Sequence, residues 1–66
     1  MTPTQWLVLD NVRQGHPYRM NICDWDAADQ AYLWCVANEY IRDGAITDAG
    51  RVLLQAVPLG RFREAE

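Results

Sequence analysis

Apolar residues recur at helical spacing near the start of the chain: Trp6, Val8, Leu9 and Val12. The stretch before them has the form of a capping box, in which Thr2 accepts an amide hydrogen bond and Gln5 reaches back. Gly15 supplies a left-handed stop after the run. The pattern predicts a first helix over about residues 3–14.

The pattern then changes to strict alternation over Tyr18–Cys23. Alternation of apolar and polar side chains is typical of a short, half-buried strand, and Pro17 is acceptable just before one. Ala45-Ile46 has the length of a minimal second strand. We therefore expect residues 45–46 to pair with residues 18–22.

A long central segment follows, which either Asp24 or Asp26 can cap. The pattern predicts a helix from Ala27 to Arg42 that ends at Gly44. Trp34 falls at the border of its apolar stripe. The residues predicted to face inward are Leu33, Val36, Ala37, Tyr40 and Ile41.

The last predicted helix begins at the Thr47 cap, runs through Val57 and stops at Pro58. Its predicted inward face consists of Ala49, Val52, Leu53, Ala56 and Val57. The fold class predicted is α+β and mostly helical, with three helices and a short two-stranded β element. Residues 1–58 would form one domain and residues 59–66 a polar tail.

Composition limits the possible functions. The chain has 66 residues, half of them hydrophobic, and a net charge of −3, as expected for one small acidic globular domain. No stretch approaches the roughly 18 apolar residues of a membrane span, and residues 1–5 lack the basic start of a secretory signal, so we expect the cytosol. All the basic residues are arginine, which suggests a GC-rich bacterial or bacteriophage origin.

The residues that could carry chemistry lack the necessary spacing. His16, Cys23 and Cys35 include no paired zinc-ligand motif, and we expect both thiols to be reduced. There is no serine nucleophile and no glycine-rich phosphate loop. Asp24, Asp26 and Asp29 could meet near one helix start, but capping explains at least one of them and the positive end of the helix favours the others. We therefore expect no enzymatic activity, no metal and no cofactor.

Residues 40–54, which include Thr47-Asp48-Ala49-Gly50-Arg51, resemble the end of bacterial winged-helix domains. The resemblance implies a recognition helix, a short wing strand and a capped helix. The chain departs from that pattern because residues 15–26 leave no room for a supporting helix, and the wing is reduced to residues 43–45. The helix in the recognition position carries four acidic residues and one basic residue, Arg42. The acidic residues are Asp26, Asp29, Glu39 and Asp43. This excess of negative charge disfavours direct DNA binding.

A surplus of tryptophan and a central group of acids favour a binding function. Trp25 and Trp34 are candidates for partial exposure, although both could pack against the predicted strand. The candidate partner-binding residues are Asp24, Trp25, Asp26, Asp29, Trp34, Glu39 and Asp43. Their partner would be a host protein with a basic nucleic-acid-binding surface. In size and charge the chain is similar to phage-encoded DNA mimics, including some anti-CRISPR proteins.

Two other functions stay open at this point. The chain could be a winged-helix-like DNA-binding regulator whose dimerisation joins its arginines into one basic surface: Arg13, Arg19, Arg42 and Arg51. It could also be a small phage assembly module that associates with itself. The sequence leaves the oligomeric state open.

Overall fold

A computed structural model describes residues 1–57. Within this range the order of elements is α1 (Pro3–Arg13), α2 (Trp25–Ala37), β1 (Ile41–Arg42), β2 (Ala45–Ile46) and α3 (Asp48–Ala56). The prediction of a mostly helical α+β fold with three helices and a two-stranded sheet is confirmed. The predicted stop at Pro58 and the predicted tail over residues 59–66 lie outside the described residues. None of the helices in residues 1–57 has the length and apolar character needed to cross a membrane.

Helix α1 forms as predicted. The Gln5 amide donates to Thr2 Oγ1 at 3.2 Å and the Thr2 amide donates to Gln5 Oε1 at 2.9 Å, which completes the capping box. The helix ends in a Schellman motif around Gly15, whose φ is +78°. In this motif the amides of Gly15 and His16 donate to the carbonyls of Val12 and Asn11.

Helix α2 starts at the Asp24 cap, whose carboxylate accepts from the Ala27 amide at 3.1 Å. The prediction that it continues to Arg42 is wrong, because it ends at Ala37. Its end is a second Schellman motif, in which Glu39 has a φ of +62° and the Tyr40 amide donates to the Cys35 carbonyl at 2.8 Å. A glutamate thus occupies the left-handed position that glycine fills after α1.

The strand predicted over residues 18–23 is wrong, since this stretch forms turns. The amides of Met20 and Ile22 donate to the carbonyls three residues back in the chain. The buried Asn11 side-chain amide donates to the carbonyls of Tyr18 and Met20 at 3.0 and 2.9 Å. These local bonds use the backbone groups that a strand would present to a neighbour.

The sheet is a hairpin between α2 and α3. β1 pairs with β2 in antiparallel register, Ile41 with Ile46 and Arg42 with Ala45, so the predicted pairing of residues 45–46 with residues 18–22 is wrong. Asp43 and Gly44 form the two-residue turn, with φ values of +54° and +77°. Positive φ at both central residues is the requirement of a type I′ turn.

The core forms where α1 packs on α2, with the hairpin and α3 closing it. The inward face predicted for the long central helix is wrong in part: Leu33 is 59% exposed, Val36 is 43% exposed and Ala37 is also exposed, whereas Ile41 is buried and Tyr40 is half-buried. The face of α2 that is buried instead carries small side chains, Ala28, Ala31 and Cys35. The buried apolar residues are Val8, Leu9, Ala28, Ala31, Cys35, Ile41 and Leu54.

Helix α3 begins at Thr47 as predicted, and Thr47 Oγ1 accepts from the Gly50 amide at 3.2 Å. Its predicted inward face is wrong in part, because Ala49, Val52 and Ala56 are exposed. Gly50 faces inward instead. A Cβ on Gly50 would lie 2.6 Å from the Tyr40 carbonyl oxygen and 2.8 Å from Ile46 Cγ1. The helix is therefore oriented by the contact of Gly50 with the hairpin.

Candidate protein-binding surface

Asp29 and Trp25, two of the predicted binding residues, belong to a cluster that holds residues 18–19 against α2. The Asp29 carboxylate accepts from Tyr18 Oη at 2.6 Å, and from Arg19 Nε and Nη2 at 2.9 and 2.8 Å. The Arg19 guanidinium also lies 5.0 Å from the centre of the Trp25 ring. This two-point ion pair and cation–π contact give Asp29 an internal structural role.

The cluster shifts the acidity of its members. The hydrogen bonds from Arg19, and next from Tyr18, lower the pKa of Asp29 because they favour the charged carboxylate. The pKa of Tyr18 is raised, chiefly because its hydroxyl donates a hydrogen bond to that carboxylate. The pKa of Arg19 is raised in turn, chiefly by its bond to Asp29. Asp29 therefore stays ionised in the folded chain at pH values where a free carboxyl group begins to protonate.

This shift predicts a stability loss in acid. A lowered folded-state pKa contributes stability above the ordinary aspartate pKa of 3.8, and the contribution disappears as pH falls through the folded value. We expect wild type to be more stable than Asp29→Asn at pH 6, and the difference to shrink as pH falls below 3.8. Urea denaturation followed by circular dichroism between pH 6 and pH 2.5 measures both. A difference that stays constant across this range would contradict the assigned role of Asp29.

The other predicted acids are exposed and occupy three places. Asp24 and Asp26 lie at the start of α2, Glu39 follows its end, and Asp43 lies in the hairpin turn. The expectation that Glu39 and Asp43 belong to the same helix as Asp26 is wrong, because α2 ends at Ala37. The 13 residues of α2 span about 20 Å, so acids lie beyond both ends of an elongated surface.

Every arginine in residues 1–57 lies within ion-pair distance of an acid. Arg13 pairs with Asp10 at 2.5 Å, and Arg19 pairs with Asp29 at 2.8 Å. The other two pairs, Arg42 with Glu39 and Arg51 with Asp48, are longer at 3.8 Å and exposed. Among the described residues this leaves three acids with no arginine partner: Asp24, Asp26 and Asp43. The uncompensated charge of this part of the chain is therefore negative.

Between the acids, the outer face of α2 carries two exposed apolar side chains, Leu33 and Ala37. Asp26, Gln30, Leu33 and Ala37 follow one another at intervals that return to the same side of a helix, and all are exposed. A shallow groove of about 630 Å³ runs beside this face, between α2 and the first turn of α1. Its apolar part is lined by Ala27, Ala31, Leu33, Trp34 and Ala37. We call the surface formed by Asp26, Gln30, Leu33 and Ala37, together with the groove beside it, the α2 outer face.

The three tryptophans have different environments. Trp6 is half-buried against the core, and its indole N–H donates to the Val57 carbonyl. Trp34 is half-buried beside the groove, with its ring centre 5.5 Å from that of Tyr40. Trp25 is 60% exposed and stacks only on Arg19 among the aromatic and cationic contacts of residues 1–57. The exposure of Trp25 and the position of Trp34 make both accessible to a partner.

The cysteines are both free thiols: Cys23 is exposed and Cys35 is buried. Burial raises the pKa of the Cys35 thiol to about 11, so it is protonated at neutral pH. His16 lies in the exposed turn after α1. In the part of the chain that the structure describes, no three histidine, cysteine or acidic side chains come together as a metal site would require.

Comparison with known protein families, with curated proteins and with solved structures found no match to this chain. The winged-helix resemblance of residues 40–54 stays a prediction.

Sequence reasoning missed Gln30, Leu33 and Ala37 as surface residues. The available signal was their spacing from Asp26: a charged residue and a glutamine on the same stripe as Leu33 indicate a face turned to solvent.

Proposed function

We propose that this chain is a non-enzymatic inhibitor of phage or mobile-element origin, acting in the bacterial cytosol. It would bind the basic, nucleic-acid-binding surface of a host protein complex in the manner of an anti-CRISPR-type DNA mimic. The binding surface would consist of the α2 outer face with Asp24, Asp26, Glu39 and Asp43 around it. Trp25 and Trp34 would contribute aromatic contacts at its sides.

One observation supports this proposal most directly. The arginines of residues 1–57 each lie beside an acid, whereas Asp24, Asp26 and Asp43 have no arginine partner there. Uncompensated carboxylates attract a cationic protein surface and repel the phosphate backbone of nucleic acid. The same observation weighs against a DNA-binding regulator, which needs a free basic track. Asp29 is left out of the binding set because Arg19 and Tyr18 occupy its oxygens, and Glu39 contributes less than the unpaired acids because Arg42 lies 3.8 Å from it.

A competition experiment tests the proposal. The chain is immobilised, exposed to bacterial extract freed of nucleic acid by nuclease, and the retained proteins are then challenged with short duplex DNA. We expect DNA to elute them, because DNA and the chain would occupy the same basic surface. Proteins that stay bound in the presence of DNA would contradict mimicry.

Charge variants supply the control. Asp26→Asn should lower retention, whereas Asp48→Asn, which removes the same charge from a fully exposed position on α3, should leave it unchanged. Equal retention by both variants would show that the charge at the start of α2 is not what binds. A gel shift of the same duplex by the chain alone at low salt, lost as salt is added, would favour the winged-helix regulator instead.

A further inference from the structure

We propose that Trp25 is the anchor of the partner contact, and that its indole ring stacks on an arginine side chain of the partner. This inference rests on the proposed function and names the side chain that the chain recognises on a basic surface. Asp24 and Asp26, the neighbours of Trp25, would supply the opposite charge.

Trp25 is a large apolar side chain that the fold leaves at the surface. It is 60% exposed, whereas every other aromatic side chain in residues 1–57 is half-buried. It also lies outside the group of residues that form the core or pack against it. Tryptophan is enriched among the few residues that carry most of the energy of protein–protein contacts. Burial against a partner would therefore recover a contribution that folding leaves unused.

A network of contacts restricts the orientation of the Trp25 ring. The Arg19 guanidinium lies over it at 5.0 Å, and Asp29 accepts two hydrogen bonds from that guanidinium at 2.9 and 2.8 Å. Tyr18 donates a third bond to Asp29, and its ring centre lies 4.5 Å from that of Tyr32. A side chain that is ordered in the free protein loses less conformational entropy on binding. The network thus prepares the indole for a partner.

The charges around Trp25 determine what can stack on it. The ion pair with Asp29 compensates the charge of Arg19. Asp24 and Asp26, in contrast, have no arginine partner in residues 1–57. Asp24 also caps α2, which leaves its negative charge in place. The indole therefore lies beside two uncompensated carboxylates, and an aromatic face near negative charge attracts a cation.

Arginine fits this site better than lysine does. Its planar guanidinium stacks on aromatic faces and its forked donors match carboxylates, whereas the lysine ammonium is a strongly hydrated point charge. The contact of Arg19 with Trp25 shows that this indole accepts a guanidinium. A nucleobase also stacks on tryptophan, but it brings a phosphate that Asp24 and Asp26 repel.

Two labelled peptides of equal charge, hexa-arginine and hexalysine, test the inference. Their affinities are measured by fluorescence anisotropy at one fixed, low salt concentration. We expect the wild-type chain to bind hexa-arginine about fivefold more tightly than hexalysine, the effect of one exposed cation–π contact. Trp25→Leu should abolish this preference, and Trp25→Tyr should retain most of it because an aromatic face remains.

Val52→Ala is the matched control, because it shortens an exposed apolar side chain on α3. It should leave both affinities unchanged. Equal affinity of the wild type for the two peptides, or a preference for arginine that survives in Trp25→Leu, would overturn the inference and leave the charge-based function standing. Failure of both peptides to bind would overturn the inference and the charge-based function together.

NMR spectroscopy locates the contact. Hexa-arginine should shift the indole N–H signal of Trp25, which is identified by its absence from the spectrum of Trp25→Phe. A shift confined to other signals would overturn the assignment to Trp25. A shift of the Trp25 signal by single-stranded DNA, with none by hexa-arginine, would identify a nucleobase as the occupant and overturn the inference.

Discussion

Gly50→Ala is expected to destabilise the fold by about 2–3 kcal/mol, the usual cost of inserting a methyl group where there is no space. The new Cβ would lie 2.6 Å from the Tyr40 carbonyl oxygen and 2.8 Å from Ile46 Cγ1. The first of these atoms belongs to the backbone and also accepts the Thr47 amide, so it cannot move without disturbing the start of α3. Thermal and urea denaturation followed by circular dichroism would measure the loss.

Helix propensity alone predicts that Gly50→Ala would increase the free energy of unfolding, so a measured loss would identify the steric contact as its cause. Alanine inside a helix is favoured over glycine by about 1 kcal/mol. Gly15→Ala provides the control: a Cβ there meets nothing within 4 Å, and only the φ of +78° opposes it. We expect the control to cost about 1 kcal/mol. A Gly50→Ala protein more stable than wild type would refute the close contact between α3 and the hairpin.

Replacement of Asn11 by leucine is expected to cost about 2–4 kcal/mol, even though the two side chains have similar shapes. The Asn11 amide supplies hydrogen bonds to two backbone carbonyls, those of Tyr18 and Met20. Each carbonyl left without a donor costs about 1–3 kcal/mol when it is shielded from water. A domain this small has a stability of only a few kcal/mol, so the variant should be largely unfolded at 37 °C.

Asn38 offers a matched comparison. Its side-chain amide also donates to a backbone carbonyl, that of Trp34 at 2.8 Å, but it does so at the surface. Water can replace that bond, so Asn38→Leu should change the free energy of unfolding by less than about 1 kcal/mol. Equal losses in the two variants, measured by urea denaturation, would show that the bonds of Asn11 do not organise residues 18–20.

Helix starts could be predicted because their signals are local. Thr2, Asp24 and Thr47 each accept a backbone amide three residues further on, a geometry encoded within a single turn. The end of α1 was predicted for the same reason, since Gly15 takes the left-handed conformation readily. The end of α2 was missed because Glu39 holds the same conformation without being glycine.

The hairpin also has a local sequence signal. The prediction of a helix over residues 27–42 left no strand before it to form a hairpin. Asp43-Gly44 between two short stretches that each contain an isoleucine, Ile41 and Ile46, is a strong indication of a type I′ turn. Recognising it would have paired residues 41–42 with residues 45–46. The turns at residues 18–23 had no such signal, since they depend on the side chain of Asn11 from a separate helix.

The periodicity of apolar residues in α2 does not determine which face of the helix is buried. Both faces of the helix carry apolar residues, and the larger ones, Leu33 and Val36, suggested the wrong side. The buried face is instead the one with small side chains, Ala28, Ala31 and Cys35. The sequence alone identifies the acidic residues of the candidate site. Their positions in space could not be predicted, because they depend on where α2 ends.

The bond from the Trp6 indole to the Val57 carbonyl joins positions that are 51 residues apart. It joins the residue that caps the end of α3 to the first turns of α1, in addition to the packing between these two helices. Fraying at the end of α3 should therefore also loosen the start of α1.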